Sequence, residues 1–418
     1  MMTFLPFKIL LVLLLRPVVV SSSSVKGEDS VSYGRHRCAT YSASPSSSSP
    51  SPSPSRPSCL IFPPPLCGTG NPIDDCWRCD PMWHTNRKKL ADCAIGFGKN
   101  ATGGKYGSFY TVTDSSDDPV NPTPGTLRHA AIQNVPLWII FSRNMTINLQ
   151  DALLVSSFKT IDGRGVEVRI TGAGCVVLQD VTNVIVHGLH IYECVKTVAT
   201  VVRNSPSSVV LGSFSDGDGV SIYASSNVWV DHNTLSNCTD GLVDATHVST
   251  NVTISNNRMT NHDKVMLLGH SDNFPDDVSI QITVTLNHFG EGLVQRMPRC
   301  RFGNFHVVNN DYEPWGLYAV GGSSNPTINC QGNRFRAANI TNRKELTRRE
   351  NANQSEWSTW NWRFQDNILE NNAFYVSSGS INQSCYEKAT SLVPMPSSLV
   401  GAMTRDAGAL NCKEGRRC

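Results

Sequence analysis

Between Ser215 and Arg301 the chain carries two tight pairs of aspartates and then a set of cations. Asp216 and Asp218 lie in Ser215-Asp216-Gly217-Asp218-Gly219, and Asp240 and Asp244 in Asp240-Gly241-Leu242-Val243-Asp244. Lys264, Arg296 and Arg301 follow. Residues two apart on a strand share a face, so Asp216 and Asp218 are expected to point the same way, as are Asp240 and Asp244 if their strand stays regular. Carboxylates gathered in this way repel one another unless a cation sits among them. Calcium suits an all-oxygen set, since it takes roughly six to eight oxygen ligands in tolerant geometry, and there is no His/Cys cluster to favour zinc. An Asp-Gly-Asp alone is commonly just a turn. The second pair, 24 residues on from Asp216 to Asp240, makes a shared site an even match for that plain reading. The cations suit a polyanion, because arginine grips carboxylates in bidentate fashion. Any one of them is ordinarily a solvated surface charge. Together they form a set, with Met297-Pro298 restricting the backbone between two of them.

The elements that position these groups are short and β-rich. Asn-x-apolar triplets recur at Asn233-Thr234-Leu235, Asn257-Arg258-Met259, Asn287-His288-Phe289, Asn310-Asp311-Tyr312 and Asn333-Arg334-Phe335, with steps of 24, 30, 23 and 23. Leu189 lies 46 before Leu235, which reads as two further steps of 23. Several triplets follow a β-branched run such as Val252-Thr253-Ile254. This period predicts an all-β, single-stranded parallel β-helix, its strands stacked about 4.8 Å apart in ladders of like residues. Asparagine is expected at the bends because it tolerates left-handed backbone. A leucine-rich repeat shares the period but not the leucine spacing. With Asp216 and Asp240 one coil apart, all four aspartates are expected to converge on adjacent coils. The long step, which contains Gly269-His270-Ser271-Asp272, should loop out and wall a cleft.

The remaining features bound the setting. A net charge of +2 over 418 residues gives no support for nucleic-acid binding. Residues 1–24 read as a secretory signal peptide around Ile9–Leu15, too short for a membrane span. Residues 25–66 hold a Ser/Pro-rich tract expected to stay extended, and the folded domain is placed at 67–418 with a C-terminal tail along the coil. Fourteen cysteines and seven Asn-x-Ser/Thr sequons fit secretion. Of the sequons, Asn237 and Asn251 sit in predicted strand-turn segments and are poor acceptors. Cys76 and Cys93 flank a helical patch and are expected to pair, as are Cys412 and Cys418. A zinc site at Cys76-Trp77-Arg78-Cys79 lacks the second cysteine pair it would need.

Several of these stretches, in order, resemble the plant pectate lyases. They are Asn71-Pro72-Ile73-Asp74-Asp75-Cys76-Trp77-Arg78, Leu90–Gly98, the Asp-Gly-Asp, Trp229-Val230-Asp231-His232-Asn233, Gly269-His270-Ser271-Asp272 and Gln295-Arg296-Met297-Pro298-Arg299-Cys300-Arg301. The resemblance runs from about residue 67 to the C-terminus. It implies a right-handed parallel β-helix and calcium-dependent β-elimination of de-esterified homogalacturonan in the cell wall, by a secreted monomer. By position it implies Asp216, Asp240 and Asp244 as calcium carboxylates and Asp218 as a further or alternative ligand. It implies Arg296 as the base that removes the C5 proton, and Lys264 and Arg301 as substrate-binding residues. It also implies disulfides Cys76–Cys93 and Cys175–Cys194. The chain departs from the pattern in its long N-terminal tract and at Gly219, Ala224 and Thr246-His247-Val248, and none of these removes a required group.

The implied chemistry is physically coherent. Removing the C5 proton puts a second negative charge beside a carboxylate, and a divalent ion with Lys264 and Arg301 would offset it. A guanidinium ordinarily loses its proton only above about pH 12, so an arginine base predicts activity rising toward alkaline pH. His232 and His270 are rival bases. His232 follows Asp231 on a strand and reads as structural. A polygalacturonase on a similar coil would need aspartates that activate water, and no calcium. A pectin lyase would act on methylated substrate without the acidic quartet. A silent pectate-binding protein would bind without releasing unsaturated ends.

Overall fold

The computed structural model describes residues 68–212, 215–339 and 342–418. The signal peptide and the Ser/Pro tract expected at 1–24 and 25–66 lie outside the described residues. The folded unit is a coil of three parallel sheets, of ten, nine and eight strands, in which each strand pairs with its counterparts one coil before and after. It is the right-handed parallel β-helix, the hand that parallel crossovers take in nearly all sheets. The helices are short, such as Pro72–Trp77, capped by the Asn71 side chain, and Pro275–Ser279 in the inserted loop.

Inward-facing residues of the ten-stranded sheet stack in one file. Ile139, Ile161, Val186, Val230, Ile254, Val284 and Val307 are in register and fully buried. β-Branched side chains suit this position because each packs flat on its neighbour a rung away. In the nine-stranded sheet Phe289, Tyr312 and Phe335 stack with centroids 4.6 and 4.3 Å apart.

The apolar members of the triplets register as their spacing predicts: Leu235 with Met259, Met259 with Phe289, Phe289 with Tyr312, and Tyr312 with Phe335. Before Leu235 the count differs. Its partner is Ile191, 44 residues back in a single coil, because the antiparallel hairpin Val201–Ser205 and Ser208–Leu211 is inserted there. Leu189 is thus not two coils away, and an insertion has imitated a double period.

The asparagines form an internal ladder. The amide Nδ2 of Asn233, Asn257, Asn287, Asn310 and Asn333 each donates to the Oδ1 of the next, ending at Asn367, over 3.0–3.1 Å. Each Oδ1 from Asn257 onward also accepts the backbone N–H of the asparagine one coil earlier. The left-handed residue is the one before the ladder position: His232, Asn256, Leu286, Asn309, Gly332 and Asp366, with φ between 53° and 64°. Asparagine is therefore used at the ladder for its two-ended amide, which satisfies buried backbone, and not for left-handed tolerance.

The N-terminal segment and the tail cover the outer face of the ten-stranded sheet, packing Ile73, Trp77, Leu90, Val400 and Met403 with Trp138 and Trp229. Gly98 lies against this face, where a Cβ would come within 2.6 Å of the Thr253 backbone nitrogen. Cys76–Cys93, Cys175–Cys194 and Cys412–Cys418 are disulfides, and Cys79 is disulfide-bonded as well, which leaves no thiolate pair for zinc. Six sequon asparagines are exposed, Asn237 among them, and Asn251 is half-buried on a strand. Asn237 is therefore a more accessible acceptor than its predicted setting suggested.

Candidate active site

The eight-stranded sheet carries the site. Its strands, in chain order, are β1 (Leu153–Leu154), β2 (Val176–Gln179), β3 (Val220–Tyr223), β4 (Val243–Thr246), β5 (Leu267–Leu268), β6 (Arg299–Arg301), β7 (Val320–Ser323) and β8 (Thr347–Arg349). Alternate residues such as Val176, Val220, Val243 and Leu268 point into the core and are fully buried. The others form a row on the outer face: Leu154, Val177, Ser221, Asp244, Leu267 and Arg299. A cavity of about 820 Å³ lies over β1 to β5.

Asp218, Asp240 and Asp244 converge in it, each offering an oxygen within 4.8 Å of the others. Asp244 sits on β4. Asp218 and Asp240 sit in successive turns that lead into β3 and β4, where the Gly241 N–H donates to Asp218 at 2.8 Å. Asp216 stands outside this group: it is exposed on the cavity wall. The same-face expectation for Asp216 and Asp218 fails because the pair precedes the strand and Gly217 between them has φ 89°. Left-handed backbone at that position breaks the period of two.

The group is electrostatically loaded. Burial, with Asp240 and Asp216 close by, pushes Asp218 up to about 6. Burial and the neighbouring Asp218 push Asp244 well above the ordinary carboxylate range, and the charge of Arg296 opposes that rise. Three converging carboxylates, offering only oxygen donors, fit a hard divalent cation. The residues present therefore suit the metal that the sequence suggested.

The cations differ in how far they are committed. Lys264 Nζ donates to Asp240 at 2.9 Å and stands one coil before Gln295. Arg299, which the sequence reading passed over, lies in the outer row but is ion-paired to Glu350 at 2.6 Å. Arg301 donates to Asp272 at 2.9 Å and to the carbonyls of Gly269 and His270. Asp272 also accepts from Ser323, Ser324 and Asn351. Arg301 thus anchors the inserted loop and is less free for a ligand than expected. Arg296 is different. Its Nε is buried without a partner, and among the described residues its guanidinium makes no hydrogen bond or ion pair. Its backbone is left-handed at φ 64°, while its carbonyl accepts from Met266.

His232 is buried between Asp74 at 2.8 Å and the Gly408 carbonyl at 3.0 Å, a structural role. His270 is exposed on the inserted loop and lies against His247, whose ring stacks in turn on Tyr223. These three rings, from successive coils, line one side of the cavity. Sequence reasoning missed this file. Adding each coil length to Tyr223 would have brought it near His247 and His270.

A sequence profile of the family described as Pectate lyase matches residues 146–411. Probable pectate lyase 18 of Arabidopsis thaliana is 60% identical over 353 residues, spanning 84% of this chain and 86% of its own length. Pectate lyase of Zinnia elegans is 59% identical, spanning 84% and 88%. Among solved structures, jun a 1, the major allergen from cedar pollen, superposes with a TM-score of 0.78 at 47% identity, covering 81% of this chain and 99% of that one. The thermostable pectate lyase PL 47 shares the fold, with a TM-score of 0.56 at 21% identity. Coverage this broad at this identity leaves one assignment: the chain belongs to the pectate lyase family and is a polysaccharide lyase.

Proposed function

We propose that the chain cleaves de-esterified homogalacturonan by β-elimination, with calcium held by Asp218, Asp240 and Asp244. The observation that carries this reading is an arginine unpaired among the described residues, Arg296, beside three converging carboxylates. A calcium ion bound there would draw electron density from a uronate carboxylate and so acidify its C5–H. Lys264, held at the edge of the group by Asp240, is placed to exchange that partner for a substrate carboxylate. Arg296, which has no acceptor among the described residues, takes the C5 proton as its neutral guanidine, having first lost its own proton to solvent. The C5–H electron pair becomes the C4–C5 double bond. The C4–O bond breaks toward oxygen, which collects a proton, and a 4,5-unsaturated uronate remains on the new end. Asp216, exposed on the wall, contributes negative potential or a further ligand once substrate is bound. Arg301 acts mainly by fixing the loop after Gly269.

The signal-like N-terminus and the accessible sequons support secretion to the cell wall. Among the described residues no helix is long and apolar enough to cross a membrane. The test is release of unsaturated product from polygalacturonate, followed by ultraviolet absorbance with and without EGTA. Product that persists in EGTA would remove calcium from the scheme. Reducing ends without unsaturation would favour a hydrolase.

A further inference from the structure

The outer row of the site sheet changes character along the coil. Arg299 and Leu267 stand at one end, Asp244 and Ser221 in the middle, and Val177 and Leu154 at the other. The cavity follows the row from Leu267 to Leu154. Three rungs separate Asp244 from Leu154, about 14 Å at the usual strand spacing. The hairpin inserted in the 44-residue coil borders this far arm and contributes Val202, Val210 and Leu211 to the lining of the cavity. Among the described residues lining the cavity there is no lysine or arginine, while Asp151 and Asp180 lie along the arm.

The arm mixes apolar side chains with Ser156, Ser157, Gln179 and Asn204, and a sugar carboxylate there would meet the like charge of Asp151 and Asp180 with no lysine or arginine in the lining to pair it. Desolvating an ionised group without a partner is costly. A methyl ester on the same sugar removes the charge and adds an apolar group that the walls can cover. Building on the lyase reading above, we infer that the Leu154–Val177 arm is a subsite for a methyl-esterified uronate. The preferred substrate is then a partly esterified homogalacturonan, with free carboxylates at the aspartate group and an ester two or three residues along. The hairpin is the positioning element, because it contributes Val202, Val210 and Leu211 to the cavity lining.

Two measurements test this separately from the chemistry. The first compares kcat/KM of the full-length protein on polygalacturonate and on pectins of graded random esterification. The inference expects turnover to hold or rise at low esterification before it falls. The second measures binding of fully free and partly methyl-esterified oligogalacturonides to the Arg296→Lys protein by calorimetry in calcium buffer. The partly esterified oligomer should bind at least as tightly. Leu211→Lys lies at a position 73% exposed, so folding should survive it. It should move the ratio of kcat/KM toward fully free substrate by about five-fold, the size of one exposed charge pair. Turnover and affinity that fall steadily from the first ester, with no response to Leu211→Lys, would overturn the subsite. Absence of unsaturated product from every substrate would instead sink the lyase reading, and the calorimetric comparison would still decide the arm.

Discussion

Replacing Asp218 by asparagine should stabilise the metal-free protein while disabling the site. In the folded chain, burial and the neighbouring Asp240 and Asp216 raise this carboxyl from 3.8 to about 6. The unfolded chain releases the same proton near the ordinary value. The folded state therefore holds the proton more tightly, and the sign is the reverse of a paired aspartate. This group's contribution to stability is intact below 3.8, declines as pH rises toward 6, and stays lower above it. The difference of roughly two pH units corresponds to about 3 kcal/mol at neutral pH. Asparagine keeps an oxygen for the Gly241 N–H and carries no charge to desolvate. With an unfolding entropy of about 2 cal/mol/K per residue over roughly 350 residues, 3 kcal/mol is worth about 4 °C in Tm. The assay is thermal unfolding in EDTA from pH 4 to 8, repeated with calcium in excess. Asp218→Asn should melt higher than the parent at pH 8 and level with it near pH 4. Calcium should raise the parent and do far less for the variant. A variant that melts lower at pH 8 in EDTA, or that responds to calcium as the parent does, would refute the reasoning.

Arg296→Lys should lower kcat by about 10²-fold or more, the usual worth of a positioned base, with the melting curve unchanged. His270→Ala should keep most of the turnover, and the reverse outcome would make the histidine the base. Turnover should climb as pH rises into the alkaline range, because a guanidinium must shed its proton to accept another; a flat profile of kcat would count against Arg296. Asn287→Ala strips the ladder of an amide that donates to the Ile254 carbonyl and Asn310 and accepts from Asn257. Each buried group left without a partner costs about 1–3 kcal/mol, so denaturant unfolding should register a loss of about 3 kcal/mol or more.

Much of the coil was legible in the chain because a solenoid repeats its environment. Each rung asks for an apolar residue at the same offset, so Leu235, Met259, Phe289, Tyr312 and Phe335 could be placed in register by counting. Counting failed at Leu189, where the inserted hairpin lengthens one coil to 44 residues and happens to mimic two. It failed again at Asp216, since a single left-handed glycine undoes strand alternation. The shared step from Asp216 to Asp240 was a sound hint of convergence, but the acid that joins Asp240 and Asp244 is Asp218.

What the sequence determined by itself is the coil, its asparagine spine and the neighbourhood of the acidic and basic groups, because these follow from periodic local demands along one chain. Which groups are free to act was settled only by the fold. Arg299 finds Glu350 and Arg301 finds Asp272 on other coils, while Arg296 finds no acceptor among the described residues. Partners contributed from remote rungs have no fixed offset in the chain, so only three-dimensional packing decides which charge is left unspent.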